Sequence, residues 1–316
     1  MKISFNNYNM ATATGYGHAS NKIVNTLTLN NFDVKYEDNN SDIEIFFGHP
    51  EDYVFYNKDS IKIGYTDWES SSVVNLWKSK LEMIDELWVG NQFCKDVFSK
   101  YTDKNIIVLG HGVDKTFTPQ KRTYDGTLKF LHIGYPALRK NLYDVVNAFL
   151  DLYEGREDVT LTIKSYENSI LDQYAHIPNI NIIAENYTSF ELVNLMRQHH
   201  CLVYPSLGEG FGLIPLQCLA TGMPSIVTEG WCDYIDYVGE LSLDSTLKEH
   251  RFTSMHPGLM FEPNYNTLLE KMKYVEENIE MLLEKYYNQA PALIEEYGWD
   301  NIIVPHFNNV KQRFNL

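Results

Sequence analysis

Positive charge is scarce in this chain. Its 316 residues carry 26 Lys and Arg against 42 Asp and Glu, a formal net charge of −16. Nucleic acid and anionic lipid are held by basic side chains that neutralise phosphates, so the overall field opposes both partners, while leaving room for a local basic patch. Cysteine is rare too: Cys94, Cys201, Cys218 and Cys232, with no CxxC pair. All four sit in or beside apolar runs, which predicts free, buried thiols in a reducing cytoplasm; a metal site is the alternative. No apolar run approaches the roughly 18 residues of a membrane span, and the opening Met1-Lys2-Ile3-Ser4-Phe5 turns polar without a signal-peptide core. There is no Asp-x-Asp motif and no long repeat of the kind that builds solenoids.

What is present fits a globular protein of two domains: 44% apolar and 22% charged residues, spread over a length comfortable for two units. Short β-rich runs alternate with helical periodicity, the pattern of α/β proteins with parallel sheets. In the first half, strands are expected at 2–5, 34–37, 43–48, 61–65, 86–89 and 106–109, with helices at 19–30, 70–84 and 92–101. The second of these helices rests on the spacing of Val73, Val74, Trp77, Leu81 and Ile84. Residues 114–126 are polar, contain Pro119 and lack either period, which marks them as a linker. The alternation then restarts. Strands are expected at 129–133, 160–164, 180–183, 201–204 and 225–228, with helices at 141–153, 190–198, 266–287 and 290–296.

The chemistry concentrates in residues 201–229, where an apolar strand runs into Gly208-Glu209-Gly210-Phe211-Gly212. A helix follows, with Pro215 in its first turn, Gly222 past its end and Pro224 beyond. A helix opening from a Gly-rich loop aims free N–H groups and partial positive charge at the cleft, which suits a diphosphate. Glu209 would repel phosphate and instead suits sugar hydroxyls; alternatively it only caps the helix and the glycines only make a turn. Arg139 and Lys140 open a helix against its dipole, which favours an anion-binding role over a solvated helix end. Gly15-Tyr16-Gly17 follows the first strand as a possible donor-side loop or a plain β–α turn, with His18 as a phosphate, acceptor or structural residue. Asp67 and Glu69 in GYTDWES are candidates for positioning an acceptor or touching the sugar. Trp68 between them is either a stacking platform or core, and Trp231-Cys232-Asp233-Tyr234 is either pocket lining or loop.

Three ordered segments carry a resemblance: YPSLGEGFGLIPLQCLATGMPSIVT, IDELWVGNQFCKDVFSKY…IIVLGHGVDKTFTP and FLHIGYPALRKNLYDVVNAFL. Together they resemble the family 4 retaining glycosyltransferases. The resemblance implies a GT-B fold, two Rossmann-like, doubly wound domains facing a central cleft. It places an acceptor-side domain over 1–118 and a nucleotide-sugar domain over 119–299, with the C-terminal segment (Tyr-Gly-Trp-Asp at 297–300 and a last helix) crossing back onto the first. It implies that Glu209 contacts donor-sugar hydroxyls, that the backbone of Gly210, Phe211, Gly212 and Leu213 meets the diphosphate, and that Lys140 with Arg139 neutralises it. Gly15 and Gly17 would lie on the donor side. Two departures stand out. The family's second glutamate, a ribose ligand, falls on Gln217, and the basic residue after the Gly opening the second domain is Tyr135.

The expected function is retaining, metal-independent transfer of a sugar from a UDP- or GDP-sugar type donor, without a cofactor, to a soluble glycan, protein or small molecule. Lys78 and Lys80, balanced by Glu82, make residues 70–84 a poor lipid-facing surface. Two other readings stay open: a catalytically silent nucleotide-sugar-binding module, motivated by Gln217, and a DNA-base glycosyltransferase of viral origin, which the acidic charge opposes. Donor and acceptor identity and oligomeric state are not legible in the residues.

Overall fold

The computed structural model describes residues 1–6, 14–166, 171–250 and 256–316. Its first lobe is a six-stranded sheet, β1 (Lys2–Asn6), β2 (Asp33–Lys35), β3 (Ile43–Phe47), β4 (Ile61–Thr66), β5 (Glu86–Val89) and β6 (Asn105–Val108), in the order β2-β1-β3-β4-β5-β6. Every pairing is parallel. The central strands are covered on both faces, so they read as continuous apolar runs: all five residues of β3 and all four of β5 are buried. Helices α1 (Gly15–Leu29), α2 (Trp77–Leu81) and α3 (Gln92–Phe98) supply the cover.

The second lobe repeats the plan with β7 (Leu128–Ile133), β8 (Val159–Ser165), β9 (Ile180–Ala184), β10 (Cys201–Tyr204), β11 (Ser225–Thr228) and β12 (Ser242–Leu243), ordered β12-β11-β10-β7-β8-β9. Its helices are α4 (Leu142–Tyr153), α5 (Ser189–Arg197), α6 (Leu213–Ala220) and the short α7 (Ile235–Val238). An antiparallel hairpin follows, β13 (Ser245–Glu249) with β14 (Leu259–Pro263), and then the long α8 (Tyr265–Tyr297) and α9 (Trp299–Arg313).

The chain crosses between lobes through residues 109–127 and again at Tyr297–Gly298. The crossings are tied together, since Val113 N donates to Tyr297 O at 2.7 Å. Arg122 fastens the first crossing to the second lobe by donating to the carbonyls of His199 and Thr221 (2.8 Å each) and of Met196 (3.0 Å). Although α9 comes last in the chain, it packs on the first lobe through Trp299, Ile303, Phe307 and Val310. Each such burial contributes about 1.5–3 kcal/mol. Arg313 at its end grips Glu86, the first residue of β5.

Three expectations need correction. Residues 70–84 are not one helix: only Trp77–Leu81 is helical, because Ser70 and Ser71 are committed to the other lobe. Ser70 Oγ donates to Pro257 O (2.7 Å), Ser71 N to Leu259 O (2.9 Å), and Leu259 N to Ser71 Oγ (2.8 Å). The break expected between 287 and 290 is absent. α8 runs on past Pro291 with Tyr286, Ala290 and Leu293 buried, and its non-helical residue is Asn278 (φ −126°, ψ 19°). Finally, α1 begins at Gly15 rather than residue 19, because Thr14 caps it by accepting from Gly17 N at 3.1 Å. Gly15-Tyr16-Gly17 is therefore its first turn.

Candidate active site

β7 and β10 are neighbours in the sheet, and the strand order reverses between them, which is where open α/β sheets bind ligands beyond their carboxyl ends. Beyond β7, Arg139 and Lys140 occupy a tight turn, Leu138–Lys140, closed by Asn141 in the left-handed region (φ 55°). Beyond β10 comes the loop that carries Ser206 and Glu209. The loops fix each other through Leu207 N donating to Arg139 O at 2.9 Å. Lys140 Nζ reaches Glu209 Oε1 (2.7 Å) and Oε2 (2.9 Å) and donates to the Tyr204 hydroxyl (2.7 Å). Arg139 lies 3.1 Å from Glu209 Oε2, donates to the Gly208 carbonyl, and lies 3.3 Å from Glu69 Oε1 of the first lobe. Ser206 Oγ completes the set with a 2.5 Å bond to Glu209.

Glu209 is only 6% exposed. Burial alone would raise its pKa, but Lys140 and Arg139 overcome that and hold it at about 2. For Lys140 the balance goes the other way: burial outweighs Glu209 and its pKa falls. Burial also works against charged Arg139, yet Glu209 and Glu69 keep its pKa above the ordinary value. Two cations thus face two carboxylates in a cluster where Glu209 is buried and the other three side chains are partly exposed.

The signature loop enters α6 through Gly212, whose φ of +89° disfavours a side chain, and no side chain caps the helix. Its first-turn amides are left for another acceptor. Trp231 and Tyr234 support the loop from behind: Trp231 Nε1 donates to Ser206 O at 3.0 Å and the Tyr234 hydroxyl to Gly212 O. Gln217, on the same helix, is buried with Oε1 unpartnered.

On the opposite wall, Asp67 and Glu69 follow β4. His18 stands in the first turns of α1, near Lys22 and Asp114. The Tyr16 hydroxyl pins Asp67 by donating to its carbonyl (2.9 Å) and accepting from its amide (3.0 Å). Trp68 is core, 2% exposed, with Nε1 bonded to Ser72 O at 2.8 Å. The walls touch. A Cβ on Gly210 would come within 2.2 Å of Asp67 Cβ, so only glycine allows this approach. Asn91 Nδ2 donates across the gap to Glu209 O, Gly210 O and Trp231 O (3.1, 2.9 and 3.0 Å), and the Gln92 amide to Asp233 (2.9 Å). His256, at the base of β14, lies 3.0 Å from Glu69 and stacks on Trp68.

The structure therefore brings together Arg139, Lys140, Glu209, Glu69 and Asp67, with Gly210, Phe211, Gly212, Leu213 and Gln217 on the adjoining loop and helix. Gly15, Gly17 and His18 stand at the start of α1. Sequence reasoning missed Asn91, His111 and His256 as cleft residues. Ser206 could have been found, because Pro-Ser precedes the Glu-Gly-Phe-Gly run. The four cysteines are free and buried. Among the described residues, no group of three His, Cys, Asp or Glu is placed to hold a metal ion, and no helix is long and apolar enough to cross a membrane.

The family model described as glycosyl transferases group 1 matches residues 114–291, more than half of the chain and all of the second sheet. The chain belongs to that family, and it is a glycosyltransferase. No curated protein matches it by sequence. Among solved structures it is similar to sucrose-phosphate synthase from Thermosynechococcus elongatus (TM-score 0.71, 13% identity, 100% of both chains covered). It is also similar to WaaG, a glycosyltransferase involved in lipopolysaccharide biosynthesis (TM-score 0.68, 11% identity, 98% of this chain and 99% of that one). A third is the trehalose-6-phosphate synthase OtsA (TM-score 0.63, 9% identity, 94% and 76%). At such identities the likeness speaks for fold: two parallel α/β lobes in the GT-B arrangement.

Proposed function

We propose that this glycosyltransferase takes a sugar from a nucleoside diphosphate-sugar and delivers it, with retained anomeric configuration, to a soluble glycan, protein or small molecule. The observation that carries the reading is the half-buried pair Arg139 and Lys140 at the sheet's reversal point, both held on Glu209 beside the uncapped start of α6. Breaking the anomeric bond loads negative charge onto the leaving diphosphate. Two fixed cations and the Leu213 end of α6 meet that charge without reorganising, and no metal or cofactor is required. Glu209, held ionised by its cations, accepts hydrogen bonds from sugar hydroxyls, and Gln217 offers its unpartnered Oε1 to a ribose hydroxyl. Asp67, Glu69 and His18 form the acceptor-side wall. The leaving phosphate takes the acceptor's proton as the acceptor attacks the anomeric carbon from that same face, so neither a carboxylate base nor a carboxylate nucleophile is needed. Support for retention comes from a neighbour: a trehalose-6-phosphate synthase of this fold has been studied for glycosyl transfer with retention (TM-score 0.64, 9% identity).

Glu69 occupies one face of Arg139, so a diphosphate held by Arg139 displaces that carboxylate and draws the Gly210 loop away from the first lobe. Incubation with UDP-, GDP- and ADP-hexoses, followed by assay of nucleoside diphosphate release and of the product's anomeric configuration, tests the reading. Release from one donor with the anomer retained is expected. Inversion would remove the retaining assignment, and no release from any donor would remove the donor class.

A further inference from the structure

Buried polar atoms nearly always find hydrogen-bond partners, so a cluster of exceptions calls for a reason. The first lobe has such a cluster where it meets the signature loop. Asp67 Oδ1 and both ring nitrogens of His111 are buried without a hydrogen bond, and His18 Nε2 behind them is also unpartnered. Asp67 is 8% exposed and His111 3%. They follow β4 and β6, so parallel strands deliver both to the cleft edge. His111 Nε2 and Asp67 Oδ2 are 3.3 Å apart, without the alignment of a hydrogen bond. Tyr65 and Phe47 pack edge-on beneath the imidazole, centroids 6.0 and 5.6 Å away, and Phe211 of the second lobe covers it at 5.1 Å. With Asp67's backbone pinned by Tyr16, neither group is free to turn toward solvent. Their lid is the Gly210-Phe211 segment of the very loop assigned above to the donor.

We propose that Asp67 and His111 form a hydroxyl-recognition pair, which receives one hydroxyl of the bound substrates when the lobes part to admit them. This rests on the donor reading of the second lobe, because it is the donor that draws Gly210 and Phe211 away from the pair. The protonation states suit the task. Burial, then repulsion from Glu69, with a smaller addition from Glu209 and opposition from the Gly90 amide, lifts the Asp67 carboxyl to about 8. Burial, then His18, lowers His111 to about 3. At neutral pH the pair is a carboxylic acid beside a neutral imidazole. Each offers one donor and one acceptor, so together they satisfy both the hydrogen and a lone pair of a hydroxyl without placing a third anion beside Glu69 and Glu209. The hydroxyl belongs to the transferred sugar or to the acceptor, and no proton changes hands.

Calorimetric titration of UDP, GDP and their glucose and mannose conjugates, combined with transfer assays on glycerol and free hexoses, tests the pair in wild type, D67A, D67N and H111A. If the transferred sugar supplies the hydroxyl, D67A and H111A weaken the sugar nucleotide about tenfold and leave the bare diphosphate unchanged. If the acceptor supplies it, donor affinity stays constant and the acceptor KM rises by a similar factor at unchanged kcat. In either case D67N, whose amide still donates and accepts, stays within a few-fold of wild type. Loss in D67N equal to that in D67A overturns the proposal, since it would mean an ionised carboxylate is the working form. So does wild-type behaviour of D67A and H111A in both assays. If the bare diphosphate itself fails to bind wild type, the donor reading falls first and this proposal with it.

Discussion

The two walls of the cleft bury comparable polar groups and treat them in opposite ways. In the second lobe Glu209 is surrounded by Lys140, Arg139, Ser206 and Tyr204, and its burial is compensated in full. In the first lobe Asp67 is buried among Glu69, Glu209 and an unaligned His111, and remains protonated. The difference separates a carboxylate whose charge is met by fixed partners from a polar pair, Asp67 and His111, that keeps buried atoms unpartnered. Glu69 joins the two by crossing to Arg139.

The second lobe's compensation of Glu209 depends first on Lys140. K140A should lower turnover by about 10²-fold or more, as loss of one preorganised charge-stabilising group does, in a steady-state assay with saturating donor; near-normal kcat would take Lys140 out of the mechanism. E209A comes next, costing about tenfold in sugar-nucleotide affinity and far less for the bare diphosphate. Equal losses on titration would contradict the sugar contact. E69Q probes the contact between the walls, because it removes the negative charge facing Arg139 and His256 without changing a second-lobe residue. The bare diphosphate should then bind several-fold tighter, and unchanged affinity would mean that Glu69 does not compete for the site.

The smallest effect is on stability against pH. The Asp67 carboxyl is raised from 3.8 to about 8 in the fold, so its contribution is fully present below the lower value and is lost as pH rises through the upper one. Melting temperature should therefore decline between about pH 4 and 8 more steeply in wild type than in D67N. Parallel curves would show that Asp67 is not buried as the acid.

Both sheets were legible because buried parallel strands leave unbroken apolar runs such as Ile43–Phe47 and Cys201–Tyr204. Glycine, proline and the Glu-Gly-Phe-Gly run likewise pointed to the loop and to Arg139, Lys140 and Glu209. Legibility failed where tertiary contacts overrode local pattern. Ser70 and Ser71 sit in an apolar helical period but spend their hydrogen bonds across the cleft. The hairpin strand Ser245–Glu249 has four exposed residues out of five and shows no strand period. His111 and His256 are single histidines in loops. Their meaning arises only when Asp67 and Glu69 arrive from another strand.

The proposed function requires the second lobe to grip the donor's diphosphate. Calorimetric titration of the nucleoside diphosphate released from the active donor, into wild type and into R139A/K140A, tests it most directly. Saturable binding to wild type is expected, with a loss of about two orders of magnitude in the double variant, from two charge-assisted contacts. Equal affinity in both proteins would contradict it.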